Sequence, residues 1–435
     1  MEETMKFSKD EFDNIEKELE NLEDQVLQIN SLKNKTIKVK QKSKVSLTEI
    51  KPGIGNTTNL EGNGPKKCVG CGKILQTVDE TKPGYVLKID SQDYCLRCFK
   101  IKHYNRLVEQ EINDKDFIDI INQINVTTEK IRYYYVVDIF DLPGSRLTWL
   151  EQLISKKEVV LLVNKIDLFP KAVKKTKILK YVQAFFEDSP IKNAKIILTS
   201  SIKQDYVFAL VNELKSINYD QYIVGISNAG KSSLINACLK VNNQIPSIVT
   251  SKYVNTTLDK IKINFTEKNY IYDTPGLVKH NHIAIATAPS YWDFFFFQKE
   301  IKQVTYQLFA GQTIFYGGLA WISFIDGIEY NQKNNKPQKT SFHFYINKQM
   351  PLHRTKVNNV NDYFKKNRHS LSPRLLDYNS KFETHSFEFK DTKKIDLHIS
   401  GLGWVNVTTF KGMKIEITVP KTEYGIRVTN LPALI

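Results

Sequence analysis

Eight residues constrain this chain more than any others. Gly225-Ile-Ser-Asn-Ala-Gly230-Lys231-Ser232 reads G-x-x-x-x-G-K-S. The apolar run Tyr222-Ile-Val224 precedes it, and the helix-like run Ser233-Leu-Ile-Asn-Ala-Cys-Leu239 follows. Such a stretch has to fold as strand, tight glycine loop and helix, because its purpose is to wrap phosphates with backbone N–H groups at a helix start. Gly225, Asn228, Ala229, Gly230 and Ser233 are then loop and helix-start positions around the phosphates. Lys231 is expected on the β- and γ-phosphates, and the Ser232 hydroxyl on Mg²⁺.

A phosphate loop implies a nucleoside triphosphate without naming the base. Ile271-Tyr-Asp273-Thr-Pro-Gly276 is a strand ending in D-x-x-G. Asp273 is expected near Mg²⁺, and the Gly276 N–H on the γ-phosphate. Val159-Val-Leu-Leu-Val163 is a buried-strand run that ends in Asn164-Lys165-Ile-Asp167. N-K-x-D at a strand end reads guanine: Asp167 accepts from N1–H and the exocyclic amine together, a pair adenine lacks. A carboxylate left half-paired by the wrong base discriminates by up to about 10⁴-fold. Ile196-Ile-Leu-Thr-Ser200-Ser201 ends another strand where a base-contacting loop belongs. A kinase has no need of a guanine reader, so these motifs point to a GTPase. Lys231, Thr257 and Gly276 are the expected catalytic positions.

The motifs come in an unusual order. An ordinary G domain has the phosphate loop first and N-K-x-D late; here the guanine reader precedes it. A doubly wound sheet tolerates new termini when the old ones lie close together. The expected fold is therefore an α/β P-loop GTPase domain, circularly permuted.

Cys68-x-x-Cys71 and Cys95-x-x-Cys98 are two pincers for one tetrahedral Zn²⁺, a closed and hence structural site. His103 is a second-choice ligand, and Lys100, Lys102 and Arg106 make this finger basic. Paired cysteines without an opening secretory stretch imply a reducing compartment. No apolar run is long enough to span a bilayer, which takes about 18 residues. The net charge of +15 favours an anionic partner such as nucleic acid.

Four regions are expected. Residues 1–65 hold an acidic helix with an apolar stripe at Phe12, Ile15, Leu19, Leu22, Val26 and Ile29, then a lysine-rich linker. The stripe suits a helical partner, self-association or packing on the same chain equally. Residues 66–111 form the four-cysteine zinc finger, 112–290 the G domain, and 291–435 a β-rich domain of short alternating strands. In the last, Arg354, Lys356, Tyr363, Phe364, Lys365, Lys366, Arg368 and Arg374 make a basic and aromatic stretch suited to RNA. Asp138 and Asp141, after the Tyr133–Val137 run, read as strand-end caps. Thr257, between the phosphate-loop helix and D-x-x-G, is the expected second Mg²⁺ ligand.

These pieces resemble the YqeH family of circularly permuted GTPases. The matching runs are Cys68–Gly72, Tyr94–Asn105, Val137–Asp141, Asn164–Asp167, Gly225–Ser232, Asp273–Gly276, Gly311–Leu319, Leu352–Lys356 and Ile399–Trp404, within residues 66–435. The resemblance implies a treble-clef-like finger, a C-terminal domain related to the trp RNA-binding attenuation protein, and assembly of the small (30S) ribosomal subunit through rRNA. A bacterial cytoplasm is the favoured compartment, with an organelle as the alternative. It implies GTP and GDP as ligands and K⁺ held by Asn228, as in related potassium-stimulated GTPases. The family's switch I carries a Pro-Gly pair before two threonines; here Val254-Asn255 precedes Thr256-Thr257. A nucleotide-dependent RNA scaffold, with hydrolysis incidental, is the competing reading.

Overall fold

The computed structural model describes residues 65–435 except 70, 80–81, 87, 91, 97, 99–113, 128, 171–172, 245–259, 268, 278–279, 296, 298, 331–334 and 378. The N-terminal stripe, the lysine linker, His103, the basic positions around it and Thr257 lie outside the described residues.

After α1 (Asp114–Thr127), the G domain is built on β1 (Arg132–Asp138), β2 (Glu158–Asn164), β3 (Lys195–Leu198), β4 (Gln221–Val224), β5 (Ile261–Thr266) and β6 (Asn269–Asp273). They form one sheet in the order β3-β2-β1-β4-β6-β5, parallel throughout apart from edge strand β5. Residues 133–138 of β1 are all buried, as continuous apolar runs must be when helices cover both faces. The covering helices bury residues three and four apart: Phe117, Ile121 and Ile124 on α1, for example. The others are α2 (Leu142–Ser145), α3 (Thr148–Ile154), α4 (Lys175–Phe185), α5 (Gln204–Lys215) and α6 (Lys231–Val241).

The chain runs outward from β1 through β2 to β3. It then crosses back by α5 to β4, on the other side of β1, and proceeds to β6. The strand order thus reverses between β1 and β4, and a ligand crevice opens at the carboxyl ends of strands there. The guanine-reading half precedes the phosphate-binding half, as the motif order predicts for a permuted domain.

Beyond β6 the chain builds two antiparallel five-stranded sheets. One joins β7 (Gln303–Leu308), β12 (Thr340–Tyr345), β15 (Lys394–Ile399), β16 (Gly403–Thr408) and β18 (Val428–Pro432), in the order β18-β15-β16-β12-β7. The other joins β8 (Gln312–Tyr316), β9 (Ala320–Asp326), β13 (Leu352–Lys356), β14 (Phe382–Glu388) and β17 (Lys414–Pro420), in the order β13-β8-β9-β17-β14. A small ladder pairs β10 (Glu329–Tyr330) with β11 (Pro337–Gln338). Phe342, Phe344, Leu397 and Val407 of one sheet meet Ile314, Tyr316, Ile322 and Ile417 of the other in a shared core. Trp404, on β16, packs into the G-domain core instead.

The basic and aromatic stretch divides in space. Tyr363 and Phe364, on α7 (Val360–Asn367), pack on Phe315 and Trp321 of the second sheet, so their rings are structural. Arg354, Lys356, Lys365 and Lys366 remain at least partly exposed.

Candidate functional site

Three motifs far apart in sequence converge at the carboxyl edge of the sheet. Between β4 and α6, Gly230 adopts φ 97°, and a Cβ there would fall 2.2 Å from the Asn164 amide nitrogen. That nitrogen donates to Ala229 O at 2.8 Å. Asn164 therefore binds the guanine-reading loop to the phosphate loop and closes the permuted order in space. Asn228 stands at φ 62°, partly exposed at the loop tip; Gly225 and Ala229 are buried, and Ser233 is partly exposed in the first turn of α6.

Lys231 is 5% exposed and donates to Gly225 O and Ile226 O at 3.0 Å each. Burial pushes its pKa down to about 8, against the opposing pull of Asp273. Its amine is a cation held in a dry place, which an anion would relieve. Ser232 Oγ donates to Asp273 Oδ2 at 2.9 Å, so two of the three predicted Mg²⁺ ligands already touch.

The D-x-x-G turn presses on the phosphate loop. Ser227 N donates to Leu277 O at 2.7 Å, and Ile226 and Leu277 form a parallel bridge. A Cβ on Gly276 would sit 2.5 Å from Ser227 Oγ and 3.1 Å from Lys231 Nζ, which leaves room only for glycine. The Leu277 side chain is 1% exposed and belongs to the G-domain core.

On the guanine side, Asp167 accepts from Ser200 Oγ at 2.6 Å, and Ser200 Oγ also accepts from the amides of Ile202 and Lys203. Ser200 thus holds the base-reading carboxylate; Ser201 follows it, partly exposed. Thr199 Oγ1 donates to Asn164 Oδ1 at 3.3 Å. Lys165, at φ 67°, pairs with Asp138 Oδ2 at 2.6 Å. Asp138 also caps the turn after β1 by accepting from Phe140 N, so the expected cap holds and carries a second role. Thr199, and Asp138 as the partner of the motif residue Lys165, are not legible in the sequence as site residues. Their only sequence signal is adjacency to strand ends that carry the motifs.

Behind these loops lies the first C-terminal sheet. Trp404 packs on Phe140 and Phe169, which follow Asp138 and Asp167 by two residues each. Ser400 Oγ donates to Asp141 Oδ2 at 2.9 Å, while Asp141 Oδ1 accepts from Gly144 N. His282 Nε2 lies 3.9 Å from Asp141 Oδ2. Gly401 stands at φ 91°, where a Cβ would meet the His282 ring at 2.5 Å. Ile283 N donates to Ser400 O, and Arg427 N to Asn281 O. The Arg427 guanidinium reaches Pro143 O at 2.5 Å. The segment leaving D-x-x-G is thereby held between the phosphate loop at Leu277 and the β15–β16 hairpin at Ser400.

Away from this crevice, the Sγ atoms of Cys68, Cys71, Cys95 and Cys98 all lie within 4.8 Å of one another, buried, with Cys71 and Cys95 3.7 Å apart. Zn–S bonds of about 2.3 Å at tetrahedral angles place sulfurs roughly 3.8 Å apart, so the cluster fits one Zn²⁺. Hydrogen bonding among the thiols lowers Cys68 to about 7, chiefly through Cys71, and lowers Cys95, chiefly through Cys68, while it raises Cys71 and Cys98, in each chiefly through Cys68. The backbone N–H of Cys95 donates to Cys68 Sγ at 3.2 Å, an outer contact typical of metal thiolates.

The profile described as YqeH-like, C-terminal matches residues 339–429, and that described as 50S ribosome-binding GTPase matches residues 220–301. The chain is 31% identical over 350 residues to the uncharacterized protein YqeH of Bacillus subtilis, covering 78% of this chain and 92% of that one. It is 26% identical over 399 residues to NO-associated protein 1, chloroplastic/mitochondrial, of Arabidopsis thaliana, covering 78% and 69%. It is 25% identical over 250 residues to nitric oxide-associated protein 1 of Homo sapiens, covering 45% and 36%. Among the described residues, no helix is long and apolar enough to cross a membrane.

Proposed function

The chain belongs to the YqeH-like family of GTPases, and from that premise we propose that it is a GTP-gated factor for assembly of the small ribosomal subunit. Hydrolysis of GTP to GDP and phosphate is the reaction. The phosphates lie along 225–232, and Lys231 Nζ turns from its two carbonyls to the β- and γ-oxygens. Burial favours its neutral form; the phosphates restore the charged one. Asp167, steadied by Ser200, accepts from guanine N1–H and the amine. The Gly276 N–H faces the γ-phosphate, and water attacks in line. Leu277 sits in the core and offers no group to orient that water, so unaided turnover is slow.

Ser232 and Asp273, with Thr257, would hold Mg²⁺, which neutralises charge on the bridging oxygens when bound. Asn228 is the candidate K⁺ ligand. Zn²⁺ on the four cysteines would hold a treble-clef-like finger in shape, and the basic side chains of Arg354, Lys356, Lys365 and Lys366 suit rRNA phosphate. A reducing compartment such as the bacterial cytoplasm fits these thiols.

The observation that carries the gating is the junction at Ser400. Between Leu277, bridged to the phosphate loop, and Ile283, bonded to Ser400, lie only a few residues. A shift of D-x-x-G on binding the γ-phosphate therefore pulls on the C-terminal sheet. The test is GTP hydrolysis in KCl with and without purified small subunits, with Lys231→Ala as blank. Stimulation by the subunits supports the proposal. Slow turnover that ignores them, with GTP binding intact, favours the RNA scaffold reading.

A further inference from the structure

We propose that the groove between α4 and residues 300–303 binds the phosphate backbone of single-stranded RNA, without regard to sequence. This rests on the RNA-directed function proposed above. The groove holds about 780 Å³. Lys174, Lys177 and Lys180 rim one wall and Lys302 the other, with Glu300 as the lone acidic side chain of the lining, which also includes the last residue, Ile435. All four lysines are exposed; Lys177 feels the buried Asp396 carboxylate, and no ion pair within 4.0 Å is found for the four among the described residues. Neighbouring Lys175 is turned away over the Tyr206 ring. Cations outside ion pairs, set in a concavity, concentrate positive potential and attract a polyanion.

Steps of three residues space Lys174, Lys177 and Lys180 by about 4.5 Å each along the helix. The track continues past Lys180 into a second concavity of about 350 Å³, bordered by Lys192 and Glu187. The rim, not the floor, argues for phosphate over an acidic helix. Ile301, Tyr345 and Leu434 are 4%, 3% and 3% exposed, while Pro170, Val173 and Ile435 of the lining stay partly exposed, so what singles out a polyanion is the four exposed lysines. The Tyr345 hydroxyl donates to Gln303 Oε1 at 2.9 Å, and its ring stacks on Trp404 rather than offering itself to a base. Lysines act as point charges, which suits backbone phosphates and carries no base readout.

The groove also adjoins the guanine reader. Pro170 at its mouth follows Asp167 by three residues, and Leu168 O accepts from Ile301 N at 2.8 Å. Occupancy of the groove therefore bears on nucleotide binding, and any coupling works equally in both directions.

The test is fluorescence anisotropy of a labelled oligouridylate with the full zinc-loaded chain across a KCl series. In Lys174→Gln/Lys177→Gln/Lys302→Gln, affinity is expected to fall about tenfold or more. The salt slope should drop by about 2, three contacts at roughly 0.7 each. Arginine at the same three positions should bind as the parent does, and GTP affinity in each variant reports on folding. Should the glutamine variant not fold, Lys177→Glu alone on the exposed rim is expected to weaken RNA binding. A glutamine variant with unchanged affinity and slope overturns the groove and leaves RNA binding elsewhere intact. A parent chain that binds no RNA overturns both readings. Displacement of the RNA by polyglutamate of equal charge at equal concentration overturns RNA as the occupant.

Discussion

Lys231→Met tests how the phosphate loop stores its binding energy. Lys231 is buried, and its pKa falls from 10.5 to about 8, chiefly by desolvation. At 1.36 kcal/mol per unit, this corresponds to about 3 kcal/mol of penalty on the folded, nucleotide-free protein. The two hydrogen bonds to Gly225 O and Ile226 O offset part of it. The sign follows from proton counting. Below pH 8 both folded and unfolded states hold the proton, and the penalty is full. Between pH 8 and 10.5 the unfolded state holds it and the folded state does not, so stability rises with pH. Methionine fills a similar volume without the charge. Guanidinium unfolding without nucleotide should show Lys231→Met more stable than the parent at pH 7, by up to about 3 kcal/mol. The difference should shrink toward pH 10. Taking the difference between the two proteins cancels the other groups that titrate there. With GTP at a hundred times Kd the parent should gain about 2.7 kcal/mol and the variant nothing, which narrows or reverses the order. A variant less stable than the parent at pH 7, or a difference that ignores pH, refutes the reasoning.

Three further outcomes are expected. Ser200→Ala releases Asp167 and leaves its carboxylate less oriented, so GTP affinity measured with a fluorescent analogue should fall about tenfold, or about 1.4 kcal/mol, with ATP no better bound. Cys71→Ser, or chelation, should remove one zinc per chain by elemental analysis; GTP affinity should persist, because the finger's apolar cluster is separate from that of the G domain. Gly401→Ala forces a methyl onto the His282 ring at φ 91°; it should cost about 1–3 kcal/mol of unfolding free energy in a denaturant titration.

What could be read from the sequence was whatever short spacing determines. The phosphate loop, D-x-x-G, N-K-x-D and the cysteine pincers each place their groups within a few residues, and the structure brings the first three to one sheet edge and the four thiols together. Contacts across long separations could not be read. Nothing local marks Asp138 as the partner of Lys165, Thr199 as the support of Asn164, or Trp404 as the side chain that packs on Phe140 and Phe169. Tyr363 and Phe364 are a different case. With Val360 they fall at positions i, i+3 and i+4, a helix face, and that spacing already indicated packing rather than contact with bases.

The place of Trp404 bears on how the protein is made. A chain growing from its N-terminus completes β6 and the D-x-x-G turn well before Trp404 emerges; from Leu277 to Trp404 is 404 − 277 = 127 positions. At roughly 5–20 residues per second this takes about 6–25 s. During that interval the strands of the nucleotide site can pair, and Phe297 can reach Phe140, while Phe140 and Phe169 still lack Trp404. The apolar back of the G domain is therefore completed only by the chain's last strands.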